Sequence, residues 1–168
     1  MQRRAFSMIE VTVAMLIVAG LLVAALETIG STASGRRAIA QRAAAAALAQ
    51  DLLEEIRTKR YAGTADVAGS LGPTAAESVA AARAAFDDVD DYDGWSETPP
   101  VGDTGTPLPG FTGWTRSVTV RFANPTTPGT DLVTDQRVKR IEVTVRPPGG
   151  IPFTLVALRS QDADLARP

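Results

Sequence analysis

Two groups of residues place charge where it can do chemistry. The first is the run Phe86-Asp87-Asp88-Val89-Asp90-Asp91-Tyr92-Asp93-Gly94-Trp95, with five carboxylates between positions 87 and 93. Such an oxygen-rich cluster suits calcium, which takes about 6–8 oxygen ligands. The spacing is not that of an EF-hand loop. With Gly94 in the sixth place, Asp91 and Asp93 fall on ligand positions 3 and 5, but Val89 takes position 1 and Pro100 position 12. Two readings therefore stand. Asp87, Asp88, Asp90, Asp91 and Asp93 hold calcium, the one cofactor the sequence suggests, or they form a solvated acidic turn anchored in a core by Phe86, Tyr92 and Trp95. The second group is a single residue, Glu10, at the start of the apolar run VTVAMLIVAGLLVAAL over residues 11–26, whose one polar side chain is Thr12. A carboxylate inside a membrane helix costs about 2.5–3.5 kcal/mol, so it either snorkels to the headgroups or has a partner.

The remaining composition narrows the chemistry. The chain has no histidine and no cysteine. That excludes a Ser-His-Asp triad, a cysteine nucleophile, a Cys/His zinc site, haem ligation by either residue and a disulfide framework. An enzyme would have to work with carboxylates, Lys, Tyr or Ser, and only residues 87–93 offer a carboxylate pair, so a non-catalytic role is expected. With 17 basic and 19 acidic residues the net charge is −2, and nucleic-acid binding, which usually shows as a basic excess, is not expected. A length of 168 residues suits one domain.

The elements that must position these residues begin with a membrane helix. Residues 5–26 make about 33 Å of helix, enough to cross a hydrocarbon core of about 30 Å. Arg3 and Arg4 would also fit a secretory signal, and Ala24-Ala25 a cleavage site. The apolar run, however, exceeds the usual h-region of about 7–15 residues, and Glu10 interrupts its start. Arg3 and Arg4 favour a cytoplasmic N-terminus, while Arg36, Arg37 and Arg42 on the far side oppose it.

The segment Arg3-Arg4-Ala5-Phe6-Ser7-Met8-Ile9-Glu10, followed by the apolar helix, resembles the class III signal of type IV pilins and type II secretion pseudopilins. The resemblance implies that prepilin peptidase cuts between Ala5 and Phe6 and N-methylates Phe6. It also implies that Glu10, fifth in the mature chain, pairs with the Phe6 amine of a neighbouring subunit. Two buried opposite charges become tolerable only when each finds the other, so such a pair would fix register as well as recruit subunits. Partners implied are prepilin peptidase, other pilin or pseudopilin subunits, an inner-membrane assembly platform and the lipid bilayer. The implied location is the bacterial inner membrane, single-pass with the head in the periplasm, and then a cell-surface or periplasmic filament. Ala5 stands where the family usually has Gly, and Glu27 where many major pilins have Pro. The absent Pro, the acidic run and LAQDLLEEIR over residues 48–57 resemble minor subunits of the PilV-like and GspI-like kind, and FDDVDDYDGW is similar to a segment of the MshD-like group. The alternative from another class is a membrane-anchored periplasmic binding domain that never polymerises.

The expected fold class is α+β: a long N-terminal helix, membrane-spanning in its first half, packed on a small C-terminal antiparallel sheet. The expected segments are a leader at 1–5, a transmembrane part at 6–26, an amphipathic half at 27–61 and a globular head at 62–168. Continuous helix over residues 6–60 would be about 80 Å long. Leu48, Leu52, Leu53 and Ile56 make one apolar side. The segment GSTASG at 30–35 is a weak helical spot where bending or fraying is expected, and Tyr61-Ala62-Gly63 is the expected helix end. The Ala43–Ala47 run reads equally as a plain helical surface or as a close-packing face between subunits. A short helix is expected around residues 75–85. Residues 115–122, 138–146 and 152–159 alternate apolar and polar, which predicts an antiparallel meander with a solvated face carrying Arg121, Arg140, Glu142 and Arg146.

Overall fold

The computed structural model describes residues 7–63, 69–80, 83–102 and 105–165. The chain divides into two units, Met1–Ala40 and Gln41–Pro168. Helix α1, Met8–Thr58, forms the first unit and opens the second. It starts where the Ser7 carbonyl accepts the N–H groups of Glu10 at 3.0 Å and Val11 at 3.2 Å. Hydroxyls on the apolar stretch bond back to the helix: Thr12 donates to the Ile9 carbonyl at 2.9 Å and Thr28 to that of Ala24 at 2.8 Å. Back-bonding satisfies a hydroxyl that lipid cannot.

Gly30 and Gly35 lie inside α1. Of the bending or fraying expected there, fraying is not seen, since the helix runs unbroken through residues 30–35. Each Gly costs about 1 kcal/mol relative to Ala, but propagation is cooperative and the Ala-rich flanks carry the ladder through. The helix ends at Thr58, slightly before the expected Tyr61-Ala62-Gly63, with the Lys59 N–H on the Ile56 carbonyl at 3.1 Å.

In the second unit, one face of α1 buries Ala45, Leu48, Ala49, Leu52, Leu53 and Ile56 in the core. Their partners include Val118, Val120, Ile141, Val143 and Val145 of the sheet. After α1 come α2 (Ala75–Ala80), 3-10 turns at Arg83–Ala85 and Asp90–Tyr92, and β1 (Ser96–Glu97). Of the helix expected around residues 75–85, Ala75–Ala80 is α-helical and Arg83–Ala85 a 3-10 turn, and residues 81 and 82 lie outside the described residues. Then follow β2 (Thr115–Ala123), β3 (Asp131–Leu132), β4 (Val138–Arg146), β5 (Phe153–Ser160) and α3 (Asp162–Leu165). The sheet order is β1-β2-β4-β5, with β3 also on β2, and every pairing is antiparallel. The register Val118↔Val143 and Val120↔Ile141 puts the β-branched side chains on the face that α1 covers. The fold is α+β.

The three long strands lie within one residue of the expected positions. Two short ones, β1 and β3, go beyond the expected meander. Each has only two residues, too few to show alternation.

Candidate functional site

The apolar part of α1 meets the length and composition needed to cross a bilayer: Met8–Thr28 is 21 residues with a mean hydropathy of 2.5, and none of it is buried. Met8, Ile9, Leu16, Leu21 and Leu26 are each about two-thirds exposed or more. None of the described residues of this unit covers them. Glu10 stands exposed in the first turn, beside Val11 and Ala14, and has no ion-pair partner among the described residues. Ala5 and Phe6 lie outside the described residues.

The acidic turn is held in place from both ends. Residues just past α1 pair with it: the Arg60 N–H donates to the Asp87 carbonyl at 3.4 Å, and the Val89 N–H to the Arg60 carbonyl at 3.0 Å. Lys59 also donates its ammonium to the Phe86 carbonyl. On the other side Gly94, with φ of 76°, lets the chain turn sharply onto the edge of β2, where its N–H meets the Val118 carbonyl at 3.2 Å. Phe86 and Tyr92 stack edge-to-face with centroids 5.0 Å apart, and Tyr92 meets Trp95 at 6.4 Å. The Tyr92 hydroxyl donates to Glu55 at 2.7 Å, so burial and that carboxylate push its pKa up.

The solvated turn was expected to keep its carboxylates in water. Asp88, Asp90 and Asp91 are instead buried, because each is engaged inside the protein. Asp88 Oδ1 accepts the N–H groups of Asp90 at 2.6 Å and Asp91 at 3.3 Å. Asp90 faces Lys139, with Nζ 2.6 Å from Oδ1 and 2.7 Å from Oδ2. Asp93 Oδ1 accepts the Val120 N–H and the Arg121 guanidinium, both at 2.9 Å. Asp91 Oδ2 accepts the N–H groups of Asp87 at 2.9 Å and Asp88 at 3.2 Å. The five aspartates therefore point to different partners and do not converge on one centre. Asp87 and Asp91 do come together, and Glu77 of α2 joins them: one carboxylate oxygen from each lies within 4.8 Å of the others. Burial, with the Glu77 charge nearby, pushes the Asp91 carboxyl up to about 6. Hydrogen bonds from the Thr74 hydroxyl and N–H hold Glu77 below the usual carboxylate range.

Three residues were not singled out by the sequence. Glu77 sits ten positions before Asp87 on a six-residue helix, and no spacing rule ties the two. Lys139 and Arg116 were hidden by their strand context. Both have the parity of the apolar face, and both are fully buried. Lys139 also donates to the Tyr61 carbonyl at 2.6 Å and lies 3.9 Å from the Tyr61 ring centroid. Arg116 Nε donates to Glu97 at 2.7 Å and its Nη2 to the Val101 carbonyl at 2.7 Å. A neighbouring pair, Arg83 with Glu55 at 3.1 Å, lines the groove beside Trp95, where the charged groups are occupied with one another.

The end of α1 is tied to the far end of the chain. The Tyr61 N–H donates to Asp164 of α3, and its hydroxyl donates to Asp135 at 2.6 Å. Arg159 of β5 donates to both Asp164 and the Lys59 carbonyl.

No family model, curated protein or solved structure matches this chain.

Proposed function

We propose that this chain is a minor pilin or pseudopilin, a non-catalytic structural subunit of a type IV pilus or type II secretion filament. One observation carries the reading. Glu10 occupies the first turn of a helix whose residues 8–26 expose apolar side chains all round, while residues 45–56 of that helix close a sheet core. An uncovered apolar helix needs either lipid or other helices; a carboxylate at its start can reach the headgroups in the first setting and needs a positive partner in the second. Storage in the inner membrane supplies the first environment and a helical filament the second. Cleavage after Ala5 by prepilin peptidase creates the Phe6 amine, and Glu10 of one subunit then pairs with the amine of the next. The assembly platform exchanges lipid for subunit contacts along residues 11–26, and the globular unit stays on the periplasmic side.

The experiment is intact-mass and N-terminal peptide mass spectrometry on the protein extracted from bacterial membranes. The expected mature chain begins at N-methylated Phe6. A chain that still begins at Met1 with the peptidase present overturns the filament reading and leaves a plain membrane-anchored binding domain. A start near residue 26 means ordinary secretion. The variant Glu10→Gln is expected to be cleaved and to insert normally, yet to be lost from sheared filaments.

A further inference from the structure

We infer that Glu77, Asp87 and Asp91 form a calcium site that ties α2 to the acidic turn. The inference does not rest on the filament reading. Three carboxylate oxygens, one from each residue, lie within 4.8 Å of one another. Among the described residues none of the three carboxylates has a Lys or Arg partner, in contrast to Asp90 with Lys139 and Asp93 with Arg121. A cluster of negative charge alone does not make a site. Asp91 adds the independent observation: its side chain is fully buried, Oδ2 is used by two backbone N–H groups, and Oδ1 is buried with no N–H, hydroxyl, Lys or Arg donor among the described residues, the side chain that Asp91 meets being the like-charged Glu77 carboxylate. A buried carboxylate oxygen without a donor is costly unless something positive reaches it.

The donor set decides which cation. All three ligands are hard carboxylate oxygens, and the chain has no histidine or cysteine to offer a softer metal. Glu77 is fixed by the Thr74 N–H at 2.8 Å, whereas Asp87 is exposed, so one side of the cluster is open to water. A fixed wall and a wet side suit calcium, which completes about 6–8 irregularly placed ligands with water. Magnesium demands a near-ideal octahedron.

The test uses the full chain in detergent micelles, stripped with EDTA and dialysed, then titrated calorimetrically with CaCl2 and followed by thermal unfolding. Wild type is expected to take up one calcium per chain and to gain about 5 °C or more in unfolding temperature at saturating CaCl2. Glu77→Gln and Asp87→Asn are expected to weaken uptake about tenfold or more, since site affinity follows ligand charge. Both change side chains outside the core; in EDTA Asp87→Asn is expected to melt at or above the wild-type temperature because a like charge is gone, and Glu77→Gln, which weakens the charge-assisted bonds from Thr74, at or slightly below it. Asp162→Asn, remote and exposed, serves as the control and leaves uptake unchanged. Three results would overturn the proposal: no saturable uptake up to about 10 mM CaCl2, uptake in either variant equal to that of wild type, or equal affinity for MgCl2. Neither arm depends on where the mature N-terminus lies, so failure here leaves the filament reading to its own mass measurement.

Discussion

Residues 8–26 and residues 45–56 belong to the same helix and treat their side chains in opposite ways. The first stretch exposes Met8, Ile9, Leu16, Leu21 and Leu26 and buries nothing; the second buries Leu48, Leu52 and Ile56 on one face and keeps Glu54 and Arg57 in water. The difference lies in the expected surroundings rather than in helix formation, which is continuous through both. An all-round apolar surface is stable only where the solvent is itself apolar, whereas a one-sided surface needs a protein partner. The charges follow the same logic. In the second unit, buried charge is tolerated because Lys139 and Arg116 meet carboxylates inside the fold, while Glu10 in the first meets none among the described residues.

The sharpest way to break this contrast is to remove one partner of a buried pair. Asp90→Ala strands the Lys139 ammonium and is expected to destabilise the globular unit by about 3–5 kcal/mol, read from denaturant unfolding of the full chain in micelles. The double variant Asp90→Ala with Lys139→Met should recover most of that loss, because two well-packed apolar groups replace the pair. Failure to recover would mean that the Lys139 bond to the Tyr61 carbonyl matters more than the ion pair. Next in size, Leu16→Arg is expected to weaken membrane insertion by about 2.5–3.5 kcal/mol, measured as the fraction pelleted with membranes, and to leave unfolding of the globular unit unchanged. An altered unfolding midpoint would show that the two stretches are not independent. Tyr92→Phe removes the bond to Glu55 and should cost about 1 kcal/mol. Smallest of all, Arg57→Ala breaks an ion pair on the exposed side of the helix and should cost about 0.5 kcal/mol or less. A larger loss would mean that this side of α1 is covered as well.

What could be read in advance was periodic, and what could not was non-local. The alternation of Val118, Val120 and Phe122 with Ser117, Thr119 and Arg121 fixes which strand face is buried, and the four-residue recurrence of Leu48, Leu52 and Ile56 fixes the face of α1 that covers it. Lys139 shares the parity of Ile141 but reads as a polar strand end, because its partner Asp90 lies 49 residues earlier. Arg116 is hidden in the same way by Glu97, 19 residues earlier. The acidic run was conspicuous as a composition, yet composition does not say which aspartate faces an ammonium, which caps a turn and which faces Glu77. Gly30 and Gly35 mislead in the other direction, since a local propensity penalty was overcome by the cooperativity of a long helix.

The junction at Tyr61 has a mechanical consequence. Its N–H is held by α3, its carbonyl by Lys139 on β4 and its hydroxyl by Asp135, while Arg159 of β5 grips the Lys59 carbonyl two residues before it. A pull along α1 therefore loads two long strands and the last helix together before it can lengthen the chain beyond residue 61. The junction acts as a clamp, sharing tension between the sheet and the acidic turn, which is bonded to Lys59 and Arg60 just ahead of it.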